Sequence, residues 1–258
     1  MITAALPARH DDGMNDRSPG SVPSRTRPAV GAALAAVTAL ATAGCSLTGD
    51  ETHSSSRSYT AGKDGARLTA LDVDSHGGSI TVKAAGPGRR TVGVTEDRTW
   101  DATRPRTTHS LRAGTLRLTA DDCGGNGDRC RVDYTVTVPA SLPVRLTTGG
   151  GDIVVDGTSG PVVADTGGGG IRMPGSRVRE VKARTGGGSM SGTFLAVPDA
   201  VRFESGGGNV TVRLPEGPYA VDATTDGGRR SVQVPTDSSA GHRITAHSAG
   251  GNVSVLGS

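Results

Sequence analysis

The chain has 258 residues, with 28 Lys and Arg against 25 Asp and Glu, for a formal net charge of +3. Aromatic residues make up 2% and glycines number 40, which excludes a globular core built on large rings and suits a narrow interior of aliphatic side chains. Near-balanced charge, with no basic run and few aromatics, speaks against nucleic-acid binding.

Residues 29–43 are apolar, follow Arg25 and Arg27, and stop just before Cys45. A membrane span needs about 20 such residues. A basic flank, a short apolar stretch and small residues before a cut site instead describe an export signal over residues 1–44. A start at Met14 would give that signal a more ordinary length. Thr42-Ala43-Gly44-Cys45 resembles the bacterial lipobox, in which the cysteine is lipidated and becomes the new N-terminus. The small Ala43 and Gly44 fit, while Thr42 stands where the pattern prefers leucine. Cys45 is therefore the expected membrane anchor, placing the chain at the outer face of the bacterial cytoplasmic membrane or in the cell envelope. A plain cleaved secretory signal is the alternative. Residues 45–64 read as the anchor cysteine and a flexible Ser-rich tether, leaving residues 65–258 as one folded domain.

That domain opens on Leu71 and Val73 before Ser75, with Ile80 and Val82 after it. Before the next similar unit come further alternating segments: Thr91–Val94, Leu116–Leu118, and Cys130, Val132, Tyr134, Val136 and Val138. They read as an extra sheet that caps or flanks the N-terminal end. Cys123 and Cys130 bracket a flexible, glycine-rich loop. In an exported chain the simple reading is a disulfide. Metal binding lacks further Cys or His nearby, and a redox pair lacks the C-x-x-C spacing.

Seven times a Ser or Thr is followed by a glycine-rich stretch: Ser75, Thr148, Thr166, Thr185, Ser205, Thr225 and Ser248. The last six are spaced by 18, 19, 20, 20 and 23 residues. A fixed short period is the mark of a solenoid. Four and two residues before the last six hydroxyls stand Val144/Leu146, Val162/Ala164, Val181/Ala183, Val201/Phe203, Val221/Ala223 and Ile244/Ala246. Five and seven residues after them stand Ile153/Val155, Ile171/Met173, Met190/Gly192, Val210/Val212 and Val253/Val255. In the Thr225 repeat, two extra residues, Arg229 and Arg230, move the pair to Val232/Val234.

Alternation at period two marks a strand with one buried face. Each repeat is thus strand, glycine corner, strand and looser return. No repeat can hide its apolar face alone, so the repeats must stack and share a core. The corner glycines are needed for positive φ or for close chain approach. In such a stack Asp165, Arg184 and Glu204 lie one above another, about 4.8 Å apart, as a ladder of alternating sign. Val253 and Val255 would end the stack on an open strand edge, a route to homo-association.

No catalytic constellation can be placed by spacing, and no cofactor or metal is expected. The glycine runs lack the G-x-x-x-x-G-K-[ST] phosphate loop, and the repeat period does not match calcium-binding nonapeptides. Asp72 and Asp74 read as a solvated face, Asp121, Asp122 and Asp128 as a solvated turn, and His242 and His247 as surface polar residues.

Taken together, the lipobox, the cysteine loop and the repeats resemble a bacterial putative-adhesin domain family of unknown function, made up of surface lipoproteins with glycine-rich repeats. The resemblance is carried by Cys130-Arg131-Val132-Asp133-Tyr134-Thr135-Val136-Thr137-Val138-Pro139, by Thr148-Gly149-Gly150-Gly151-Asp152-Ile153-Val154-Val155-Asp156-Gly157 and by the repeats that follow. Gly170, Gly192 and Arg229-Arg230 depart from the pattern. The resemblance implies a β-solenoid at the cell envelope and supplies no catalytic residue. The expectation is an all-β, single-domain β-solenoid of about six to seven short coils. It would be a non-enzymatic scaffold that presents its surface to an envelope protein or glycan. The alternative is a carbohydrate-active β-helix enzyme, a polysaccharide lyase or hydrolase, which rests on fold analogy alone.

Overall fold

Segments whose side chains alternate between apolar and polar gain most from a pleated conformation that buries one face and wets the other. The computed structural model describes residues 51–62, 67–121 and 129–258. Their regular structure is all strand. Residues 1–44, the expected export signal, and Cys45 and Cys123 lie outside these residues.

The chain enters through β1 (His53–Ala61), then gives β2 (Ala70–Asp74) and β3 (Ile80–Ala84). Next come β4 (Val92–Trp100), β5 (Thr107–Arg112), β6 (Thr115–Ala120) and β7 (Cys130–Val138). The repeats then supply β8 (Val144–Thr148), β9 (Ile153–Asp156), β10 (Val162–Thr166), β11 (Ile171–Ser176), β12 (Glu180–Thr185) and β13 (Met190–Phe194). The chain closes with β14 (Ala200–Ser205), β15 (Val210–Leu214), β16 (Ala220–Thr225), β17 (Arg230–Val232), β18 (Arg243–Ser248) and β19 (Val253–Gly257).

These strands form two open mixed sheets. The first runs β1-β4-β7-β3-β9-β11-β13-β15-β19-β17, and the second β16-β18-β14-β12-β10-β8-β2-β6-β5. From β7 onward the chain changes sheet at every connection, and the repeats pair only in parallel.

Register in the second sheet is unshifted. Val144, Val162, Val181, Val201, Ile244 and Val221 are successive partners, as are Leu146, Ala164, Ala183, Phe203, Ala246 and Ala223. All but Val221 are buried, and Val221 is partly so at the sheet's edge. In the first sheet Ile80, Ile153, Ile171, Met190, Val210 and Val253 line up and are buried, as are Val82, Val155, Met173, Val212 and Val255. Gly192 makes room here: a methyl on it would meet Phe194 at 2.9 Å and Phe203 at 3.0 Å. One missing side chain thus lets two phenyl rings share a layer.

Four sequence expectations need correction. Residues 53–61, read as tether, are strand β1, because β4 offers its free edge to them in an antiparallel register of nine residues. The segment between the Ser75 and Thr148 repeats forms no sheet of its own. Instead β6 pairs with β2 and β7 with β3, extending both sheets. Val253 and Val255 do not end the stack: β19 lies between β15 and β17, and β18 between β14 and β16. The last repeat thus fills a slot inside the Thr225 repeat, which lies at the outer edge of both sheets. Arg229 and Arg230 are not an insertion, since they follow Thr225 by the same steps as Asn252 and Val253 follow Ser248. At that edge Arg230 stands opposite Val253 and Val232 opposite Val255, so the Val232/Val234 pair sits one step further along than the spacing implies. The Arg230 guanidinium donates to the Ala223 carbonyl at 2.7 Å. Val232 packs partly against the core and Val234 is buried.

Candidate functional site

The corners set the geometry of the outer faces. Thr166 donates its hydroxyl to the Gly151 carbonyl of the preceding repeat at 2.9 Å and accepts the Gly169 N–H of its own at 3.1 Å. Thr185, Ser205, Ser248, Thr225 and Thr148 make the same two bonds. Ser75, the first in this stack, turns its hydroxyl to Gly78 in its own corner at 2.6 Å. None of the corner glycines takes a positive φ, whereas His76 does, at +61°. Close approach is therefore what the corner demands of glycine. A methyl on Gly149 would stand 2.6 Å from the His76 carbonyl oxygen, and one on Gly169 would overlap that of Gly151. Four residues past each hydroxyl a second ladder runs: Asp152 accepts the Gly170 N–H, Ser189 that of Asn209, Asn209 that of Asn252, and Asn252 that of Arg229.

Rigid register turns single outward residues into continuous rows. On the second sheet one row reads Arg117, Asp72, Arg145, Val163, Lys182, Arg202, Thr245 and Asp222. Beside it run Asp165, Arg184, Glu204 and His247. Glu204 is claimed twice, by Arg184 at 2.7 Å and by Arg202. Asp72 takes both Nε and a terminal nitrogen of Arg117, at 3.1 and 2.7 Å. Arg145, Lys182 and Arg243 have no ion-pair partner among the described residues. Lys182 and Arg202 are direct cross-strand neighbours, an arrangement that costs stability because like charges face each other. Between them and Arg243 lies an open hollow of about 280 Å³, lined also by Val163, Glu180 and Thr245.

The first sheet presents a different face. Its outward row is Ser58, Thr95, Thr135, Thr81, Val154, Arg172, Ser191, Thr211, Ser254 and Ser231. Sequence reasoning missed this hydroxyl row. Its signal is the residue six past each corner hydroxyl, which bears a hydroxyl at Thr81, Ser191, Thr211, Ser231 and Ser254.

The acid–base candidates are drawn apart. Asp74 accepts the His76 N–H at 3.1 Å. His242 contacts the Pro198 carbonyl at 3.0 Å and His247 the Thr224 hydroxyl at 3.0 Å. Asp199 is held below the usual carboxylate range by its hydrogen bond to Arg179. Among the described residues no group of three or more His, Cys, Asp or Glu side chains is placed to hold a metal. The one buried carboxylate among them, Glu96, accepts from Tyr59 at 2.9 Å, from Thr107 at 2.8 Å and from Arg98. Burial, with Glu96 beside them, pushes the Tyr59 and Tyr134 phenols well above their ordinary value. Glu96 is 1% exposed, so its charge is compensated inside the fold by these three donors. The Cys123–Cys130 pairing falls on residue 123, outside the described residues.

No family model matches the chain, and no curated protein does. Solved structures are similar to it. One is described as a putative cell adhesion protein from Clostridium sporogenes, at 13% identity over 80% of this chain and 100% of that one, with a TM-score of 0.46. A second, described as a putative adhesin from Bacteroides fragilis, shares 14% identity over 81% of this chain and 99% of that one, also with a TM-score of 0.46.

Proposed function

We propose that this protein is a non-enzymatic lipoprotein of the cell envelope, a β-solenoid that displays the outer face of its second sheet to an acidic envelope glycan. The observation that carries this is the row in which register brings Arg145, Lys182 and Arg202 onto one face beside Arg184 and Arg243. Like-charged neighbours held by stacked backbones favour a bound polyanion, since the partner removes a repulsion that the free protein carries. On this face Asp72 and Glu204 are tied to arginines. In this reading residues 1–44 direct export, Cys45 carries the lipid, and a Cys123–Cys130 disulfide closes the loop before β7.

An array of neutral and acidic glycans, probed with the full-length protein and with Lys182→Glu/Arg202→Glu, tests the face. Selective retention of acidic glycans that falls about tenfold or more in the double variant is expected, with salt weakening what remains. Equal binding by both proteins defeats the assignment. Metabolic labelling with a fatty-acid probe, comparing wild type with Cys45→Ser, checks the anchor; label retained in the variant rules it out.

A further inference from the structure

At the end of the domain where β1 finishes lies a groove of about 970 Å³, near the upper end of the roughly 300–1,000 Å³ typical of small-molecule sites. It is distinct from the charged face of the second sheet. Three segments and one linker wall it: the end of β1, the approach to β2, the turn between β3 and β4, and residues 139–143 between β7 and β8. Its floor is apolar, with Leu142 buried and Leu68 packed against the core beside Pro143. Around the rim stand Arg67, Arg89 and Arg90, all exposed. Gly88, at φ +81°, sets the turn that presents Arg89 and Arg90 together.

Two features mark the groove as built for an anion. None of the three guanidinium groups has an ion-pair partner among the described residues, and none of the described lining residues is acidic. Arg117, Arg179, Arg184 and Arg202 are neutralised by carboxylates, whereas here three arginines unpaired among the described residues line one cleft with no described acid. Three forked donors around one cleft match the oxygens of a phosphate group, which guanidinium binds through paired hydrogen bonds. The apolar floor asks for more than a bare ion: it gains from a ligand that carries carbon next to its phosphate.

We propose that this groove binds a phosphate-bearing amphiphile, with Arg67, Arg89 and Arg90 on the phosphate and the leucine-proline floor under the adjoining apolar part. A lipid headgroup and free inorganic phosphate share the anionic chemistry, and the floor distinguishes them.

The test is calorimetric titration of the full-length protein with three soluble probes: a short-chain phosphatidate, inorganic phosphate alone, and the matching diacylglycerol without phosphate. The phosphatidate should bind at least about tenfold more tightly than either other probe, and Arg67→Gln/Arg89→Gln/Arg90→Gln should weaken it by about tenfold or more. These residues are exposed, so an unchanged melting temperature separates lost binding from lost fold. Lys182→Glu/Arg202→Glu should leave the phosphatidate affinity unaltered, so this site and the glycan-binding face succeed or fail separately. Inorganic phosphate binding as tightly as the phosphatidate would overturn the amphiphile. No phosphatidate binding, or binding indifferent to the triple substitution, would overturn the site.

Discussion

From Thr148 to Ser205 the core is filled by Val, Ala, Ile and Met, with Phe194 and Phe203 sharing one layer, the corners are hydroxyl and glycine, and every strand pair is parallel. At the opposite end, β1 and β4 pair antiparallel, as do β5 and β6. There the interior holds Tyr59, Glu96, Arg98 and Tyr134. The two regions answer different demands. Inside the stack each corner meets a copy of itself, so backbone must touch backbone and side chains are removed. At the end there is no further copy, and long side chains must cover the last layer and satisfy one another. Stability in the first region should therefore depend on what is absent, and in the second on a few charged contacts.

The largest effect should come from crowding a corner. Gly169→Ala puts a methyl into the Gly151 carbonyl of the neighbouring repeat, and neither backbone can move without shifting the stack. A loss at or beyond about 4–5 kcal/mol is expected in chemical denaturation. Gly168→Ala in the same corner, where the nearest atom stands 3.9 Å away, should stay within about 0.5 kcal/mol of wild type. Equal costs at the two positions would mean that close stacking is not what selects glycine.

At the other end, Glu96→Gln leaves Arg98 without its counter-charge in a site where the two side chains are 1% and 11% exposed. Breaking one partner of such a pair costs about 3–5 kcal/mol. Adding Arg98→Met should recover much of it, because two missing charges are cheaper than one left alone. A double variant no more stable than Glu96→Gln contradicts the pairing.

A smaller loss follows from one corner hydroxyl. Thr185→Val removes the donor to Gly169 and the acceptor of Gly188 at a position 5% exposed, so water cannot fully replace either bond. About 1–3 kcal/mol should be lost in thermal or urea unfolding. Thr185→Ser should be close to neutral, since Ser205 and Ser248 already do the same work.

The mildest perturbation is alkaline. Burial raises Tyr59, Tyr134 and Tyr219 above the ordinary phenol value, which is near 10. Above that pH the unfolded chain releases phenolic protons that the folded one keeps. Their contribution is therefore whole below about pH 10 and is lost as pH rises through the folded values. Phenolate absorbance should stay low past pH 10 and climb only together with loss of the strand signal in circular dichroism. A separate early rise would place at least one tyrosine in contact with water.

Much of this architecture is legible in residue order. The rows Val144–Leu146, Val162–Ala164, Val181–Ala183 and Val201–Phe203 stand at fixed distances before a hydroxyl and are buried in register. The outward row of the first sheet is partly legible too, with a hydroxyl six residues past five of the seven corners and Val154 and Arg172 at the other two. The arginine groove was not, because Arg67, Arg89, Arg90 and Leu142 come from separate connections with no common spacing. Strand β1 was hidden for a similar reason: His-Ser-Ser-Ser-Arg-Ser has no apolar alternation, and its partner β4 supplies the order.

Local patterning alone determined that the regular structure of the described residues is strand, which side chains point inward and where glycine must stand, because period two and bare corners are properties of neighbouring residues. Only the tertiary structure decided the order of the sheets, including the last repeat seated inside the Thr225 repeat. Parallel pairing of near-identical repeats is almost degenerate locally, so residue order alone does not choose which repeat lies beside which. In the folded chain the repeat bearing Arg229 and Arg230 takes the edge, where Arg230 donates to the Ala223 carbonyl, and the repeat that follows takes the inner slot.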